Sequence, residues 1–167
     1  MSPFRSINPW NGEVLQEFSP TNPKAIEQAL TLAEQCFGTW RELPFAEKSR
    51  LFHLLALRLR DQKEELAQLI SVEVGKVITE SRAEIEKCAW VCEFYADKAA
   101  SFLAAEEILL PDSKRAQVIF QPLGIILGVM PWNFPFWQVF RFAVPTLLAG
   151  NVALLKHASN VPQSALA

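Results

Sequence analysis

The side chains best suited to chemistry lie in the last third of this 167-residue sequence. Met130-Pro131-Trp132-Asn133-Phe134-Pro135 sets one polar side chain, Asn133, between two prolines that fix the backbone around it. An amide held rigidly there can donate hydrogen bonds to an oxygen that is gaining negative charge. Arg141 follows as a cation between Phe140 and Phe142. A lone guanidinium is costly to bury, so it needs an anion or an exposed position. It falls about two helical turns after Asn133, so both can face one cleft. Lys156 closes an apolar run and leads into His157-Ala158-Ser159. A cation at the carboxyl end of a strand can reach ribose hydroxyls or a phosphate. The plainer readings are a proline-rich turn with a capping asparagine, an arginine on a solvent face, and an exposed lysine beside a serine cap.

These groups must be positioned by elements that the pattern of apolar residues outlines. Ile7 to Phe18 reads as an extended opening with turns at Asn8-Pro9 and Asn11-Gly12. A helix is expected from Pro23 with Asn22 as its cap, and its apolar face is Ile26, Ala29, Leu30, Ala33 and Phe37. Pro44 opens the next, with a stripe of Leu51, Leu54, Leu55 and Leu59 that continues through Leu66, Leu69 and Ile70. Gly75 is the expected terminator. Ile78 to Leu103 repeats at helical spacing and includes Ile85, Cys88, Ala89, Cys92 and Ala96. Val118-Ile119-Phe120 predicts an edge strand or ribbon. Ile125 to Met130 predicts a parallel strand covered on both faces. Phe136 to Leu148 predicts a helix that Pro145 should kink or split, and Val152 to Leu155 a second strand. A last helix begins near Pro162. Strand, helix, strand over Ile125 to Lys156 is the opening unit of a parallel α/β sheet.

Composition narrows the partners. Half the residues are apolar, a fifth are charged, and the net charge is −2, which gives no basic excess for nucleic acid. The apolar stretch from Gly124 to Leu155 is interrupted by Pro131, Asn133, Gln138, Arg141, Pro145 and Asn151, so a buried core is expected and not a membrane span. Three cysteines, Cys36, Cys88 and Cys92, give neither a disulfide framework nor zinc spacing with His53 and His157. Reduced, mostly buried thiols, no metal, no leader peptide and a cytoplasmic protein are expected.

The hexapeptide Met130–Pro135 resembles the signature of the aldehyde dehydrogenases, and the likeness extends from Ile7 to Ala167. Ile7-Asn8-Pro9 with Asn11-Gly12 is similar to the family's opening turn, and Glu73-Val74-Gly75-Lys76 to its Glu-Thr-Gly-Lys segment. Phe136-Trp137-Gln138-Val139 and Lys156-His157-Ala158-Ser159-Asn160-Val161-Pro162 resemble the bacterial and cyanobacterial succinate-semialdehyde group. The resemblance implies an α/β fold: a mainly helical part of the cofactor-binding domain over 1–110, a strand or ribbon segment of the oligomerisation region over 111–124, and the first β-α-β unit of a Rossmann-like dinucleotide-binding domain over 125–167. It implies that Asn133 is the catalytic oxyanion donor. Trp132, Asn133, Lys156, His157, Ala158 and Ser159 would lie along the cofactor, and Arg141 would clamp a substrate carboxylate. Ser159 stands where NAD-selective members carry glutamate, and His157 where proline is usual. A serine there removes the repulsion of a 2′-phosphate, so NADP is expected, with NAD as the other choice.

By the same resemblance the family's glycine-rich loop, its water-activating glutamate and its nucleophilic cysteine have no counterpart before Ala167. The 167 residues are therefore expected to be an N-terminal portion that oxidises nothing alone, packs its two-stranded sheet poorly, and forms a homo-oligomer when full length. Two other readings stay open: a non-catalytic fragment that docks through its sheet edge, and a dehydrogenase for another carboxylated aldehyde.

Overall fold

The computed structural model of the chain describes residues 3–111 and 115–167; residues 112–114 of the expected ribbon lie outside the described residues. Strands β1 (Phe4–Ile7) and β2 (Val14–Phe18) pair antiparallel. Four helices follow: α1 (Pro23–Trp40), α2 (Phe45–Asp61), α3 (Lys63–Val74) and α4 (Ile78–Phe102). The Asn22 side chain accepts from the Ala25 amide at 2.8 Å and so caps α1 as its sequence position demands. Helix α3 ends on Gly75, whose φ of 78° is left-handed; a β-carbon there would also come within 2.8 Å of Pro9.

Strands β3 (Glu106–Leu109) and β4 (Arg115–Val118) form a second antiparallel pair. The chain then runs β5 (Ile125–Val129), α5 (Trp137–Leu148), β6 (Val152–Lys156) and α6 (Pro162–Leu166), with β5 and β6 parallel in the register Ile125↔Val152 to Val129↔Lys156. The expected β-α-β unit is therefore present. The core lies where α4 packs against α2, α3 and α5, around Phe52, Ile70, Ile85, Cys88, Cys92, Val144 and Leu148.

Several expectations need correction. On α2 the buried face is Phe52, Ala56 and Leu59, while Leu51, Leu54 and Leu55 are exposed. Small residues decide this: Ala56 and, on α4, Ala89 and Ala96 are almost fully buried, so the two helices approach along the alanine side of α2 and not the leucine side. On α1 only Ala33 of the expected face is buried. Strand β3 at Glu106–Leu109 has no counterpart in the sequence reading, and the expected Val118-Ile119-Phe120 run contributes only Val118 to β4. Helix α5 runs unbroken through Pro145 and forgoes the one backbone hydrogen bond that an amide there would make to the Arg141 carbonyl. Strand β5 is not covered on both faces: Leu127 and Val129 are each 64% exposed. Its other face meets α5, and Gly128 is the reason it can. A β-carbon there would lie 2.5 Å from the Phe142 ring.

Candidate functional site

Because β5 and β6 are parallel, their carboxyl ends lie at the same edge. The Met130 amide donates to the Lys156 carbonyl at 3.0 Å, so the two strand-to-helix crossings leave the sheet side by side. The first crossing, Met130–Phe136, is held from behind by α4. Glu84 Oε1 accepts from the amides of Phe136 and Trp137, both at 3.0 Å, and Oε2 meets Lys76 Nζ at 2.5 Å. A carboxylate at a helix N-terminus satisfies donors that have no partner within the helix and complements its dipole. The side chains of Glu84 and Lys76 are 1% and 8% exposed, and the ammonium sits 3.8 Å from the centre of the Phe134 ring.

The second crossing, His157–Val161, is held by Glu73 at the end of α3. Its carboxylate accepts from the amides of Gln163 at 2.9 Å and Ser164 at 2.8 Å, and from Ser6 Oγ at 2.7 Å; Gln163 Nε2 donates to the same hydroxyl at 2.8 Å. His157 joins the two crossings. The Ala158 amide donates to His157 Nδ1 at 2.8 Å, which makes that nitrogen the acceptor and leaves the proton on Nε2. Nε2 then donates to the Pro135 carbonyl at 2.9 Å.

In front of this frame the expected site residues divide among three clefts. Asn133 and Arg141 line one of about 520 Å³, together with Phe134, Trp137 and Gln138 and, from α4, Glu80, Glu84 and Lys87. Lys156, His157, Ala158 and Ser159 line a second, of about 700 Å³, closed by Phe4, Phe18, Ile26 and Pro162. Its lining holds one cation, Lys156, the hydroxyls of Ser19, Thr21 and Ser159, and no carboxylate. Trp132 lies with neither group. It lines a third cleft with Arg5, Pro9 and Asn160. The structure thus brings Asn133 and Arg141 together, keeps Lys156 to Ser159 together, and sets Trp132 apart from both.

The two buried thiols are unsuited to attack. Burial, with the nearby Glu84 carboxylate second, pushes the Cys88 thiol far above its ordinary range; burial, then Glu93, pushes Cys92 up to about 12. Cys36 is exposed on α1. Among the described residues no cluster suited to a metal ion is present, and no helix is long and apolar enough to cross a membrane.

Sequence reasoning missed Glu84 and the work of Glu73 and Lys76. Glu84 did leave a signal. It lies three residues after Ser81 and four before Cys88, on the buried stripe of α4, where an unpaired carboxylate would be costly. Nothing in the sequence names the two amides that it receives.

Known proteins supply the remaining comparison. A model of the aldehyde dehydrogenase family matches residues 1–167. The probable succinate-semialdehyde dehydrogenase [NADP(+)] of Synechocystis is 50% identical over 162 residues, which is 97% of this chain and 36% of that protein. The succinate-semialdehyde dehydrogenase [NADP(+)] of Mycobacterium leprae is 42% identical over 163 residues, 96% of this chain and 36% of that protein. The crystal structure of succinic semialdehyde dehydrogenase from Streptococcus pyogenes, in complex with NADP+, superposes with a TM-score of 0.93 at 34% identity, over 98% of this chain and 36% of that one. The chain thus spans about 36% of the length of the curated relatives it matches. A parallel β-α-β unit with a cleft lined by Asn133 and Arg141 at its carboxyl edge, and a family match from the first residue to the last, lead to one assignment: the chain belongs to the aldehyde dehydrogenase family.

Proposed function

We propose that this chain supplies the oxyanion donor, the carboxylate clamp and the adenosine-side contacts of an NADP-using succinate-semialdehyde dehydrogenase. One observation carries the reading: Asn133 and Arg141 line the same cleft, so an aldehyde with a carboxylate at its far end can engage both. Asn133 Nδ2 donates to the aldehyde oxygen as negative charge gathers on it, and Arg141 holds the carboxylate through paired N–H donors. The Glu84 cap on Phe136 and Trp137 and the His157 bridge to Pro135 fix the backbone just after Asn133, which keeps its amide from following the substrate.

The second cleft fits the adenosine end of NADP. Lys156 offers charge to a 2′-phosphate, Ser159 offers a hydroxyl, and no carboxylate in that lining repels it. The nicotinamide, when bound, supplies the hydride acceptor. His157 and Ala158 lie along the same cleft. Trp132, in its separate cleft, keeps its proposed cofactor contact only through the loop backbone that it shares with Asn133.

The 167 residues alone are inactive on this reading. Cys88 and Cys92 are buried thiols held in the protonated form, and the relatives are nearly three times as long. The domain division at 110 and 124, a homo-oligomer and a cytoplasmic location belong to the same proposal; reduced thiols support the last. The test is an assay for NADPH formation from succinate semialdehyde. The expected result is none with the purified chain, and activity when the chain is joined to the remaining sequence of the Synechocystis relative. Activity of the joined enzyme that is indifferent to Arg141→Ala would overturn the clamp and favour another aldehyde.

A further inference from the structure

We infer that Lys87 is a second cation for the substrate's carboxylate, and so a specificity-determining residue of the cleft that holds Asn133 and Arg141; the inference rests on the function proposed above. Lys87 reaches this cleft from α4, the helix opposite Arg141. Its Nζ lies 4.1 Å from the centre of the Trp137 ring. Trp137 and Arg141 stand four residues apart on α5, so their side chains are neighbours on one helical face, with β-carbons about 5–6 Å apart. The indole therefore brings the ammonium to the face of α5 that carries Arg141.

Two cations on one cleft repel unless an anion lies between them. Among the described residues neither Lys87 nor Arg141 has a carboxylate within ion-pair distance. Of the two carboxylates that line the cleft, Glu84 is already engaged by Lys76 and two backbone amides. Glu80 is the other, and it pairs with neither cation. Gln138 adds an amide on the same helix. These donors suit a carboxylate, with Arg141 gripping it in a plane and Lys87 contributing a point charge from across the cleft.

The test is steady-state kinetics of the chain joined to the remaining sequence of the Synechocystis relative, comparing succinate semialdehyde with butanal, which lacks the carboxylate. Lys87→Met should raise KM for succinate semialdehyde about two- to fivefold, as expected for an exposed charge contact, and leave butanal unchanged. Lys87→Arg should restore the parent value, and the Lys87→Met effect should shrink in high salt. A parent enzyme without preference for the carboxylated aldehyde overturns the underlying function. A clear preference that falls in Arg141→Ala but not in Lys87→Met overturns the role of Lys87 alone. Titration of the joined enzyme with succinate, followed on the ¹⁵N-labelled tryptophan indoles, reads the same contact without turnover. The Trp137 signal should move in the parent and move less in Lys87→Met. An equal response in both overturns the inference.

Discussion

The two crossings solve one problem with different chemistry. Each turns from a parallel strand into a helix, and each receives a buried carboxylate on the first free amides of that helix. At the first, the carboxylate is also paired with a buried ammonium beneath an aromatic ring. At the second, it is held by a hydroxyl and amides, and no cation is within ion-pair distance among the described residues. A buried ion pair is poor value as a source of stability, since matched apolar groups often do as well. It is good at removing alternatives, because either partner alone is left as an uncompensated buried charge. The stiffer arrangement stands behind Asn133, where a displacement of tenths of an ångström would disturb the proposed oxyanion contact. The softer one stands behind Lys156 and Ser159, exposed side chains that could adjust to the proposed phosphate.

The largest effect should come from breaking the first crossing. Glu84→Ala removes the acceptor of two amides and strands Lys76, a loss of about 3–5 kcal/mol by analogy with other buried pairs. Chemical denaturation checks it. Cys88 gives a local readout, since it is buried beside Glu84 and its thiol is held protonated. Glu84→Ala should open Cys88 to alkylation well before Cys92. Adding Lys76→Met should recover part of the loss, because the stranded charge is gone. If the double variant is no better than the single, the ion pair is not what separates the two crossings.

Glu73→Ala should cost less, about 2–3 kcal/mol, because it leaves amides and a hydroxyl unsatisfied but no buried cation. Cys88 should stay protected in this variant. A loss equal to that of Glu84→Ala would erase the distinction, and faster alkylation of Cys88 would show that the crossings open together.

This difference could not be read from the sequence, though much of its setting could. The order of strands and helices apart from β3 and the break between α2 and α3, the Asn22 cap, the Gly75 stop and the two parallel strands follow from local pattern and turn chemistry. The pairing of Asn133 with Arg141 follows from helical spacing once the strand-to-helix turn is placed. What escaped was set by distant partners. Glu84 meets amides 52 and 53 positions away, and Glu73 meets amides 90 and 91 away. The stripe of α2 failed for a similar reason. A leucine pattern shows which faces are apolar, and only the small residues on α4 decide which of them is approached.

His157 gives the smallest effect and the finest test, because it is the link between the two crossings. It uses Nδ1 to accept from its own loop and Nε2 to donate to the loop that carries Asn133. Removing it should cost about 1 kcal/mol, the usual worth of one neutral hydrogen bond beyond local repacking. The two nitrogens can be separated. In His157→Gln the amide nitrogen extends to roughly the Nε2 position and can still donate to Pro135. In His157→Asn the shorter side chain can accept from Ala158 and cannot reach across. If the bridge is what steadies Asn133, then in the complete enzyme kcat should fall for Asn and not for Gln, with KM for NADPH precursor NADP little changed in either. Should both variants raise KM for NADP and spare kcat, His157 serves the second crossing alone, and the first owes its rigidity to Glu84 without help from His157.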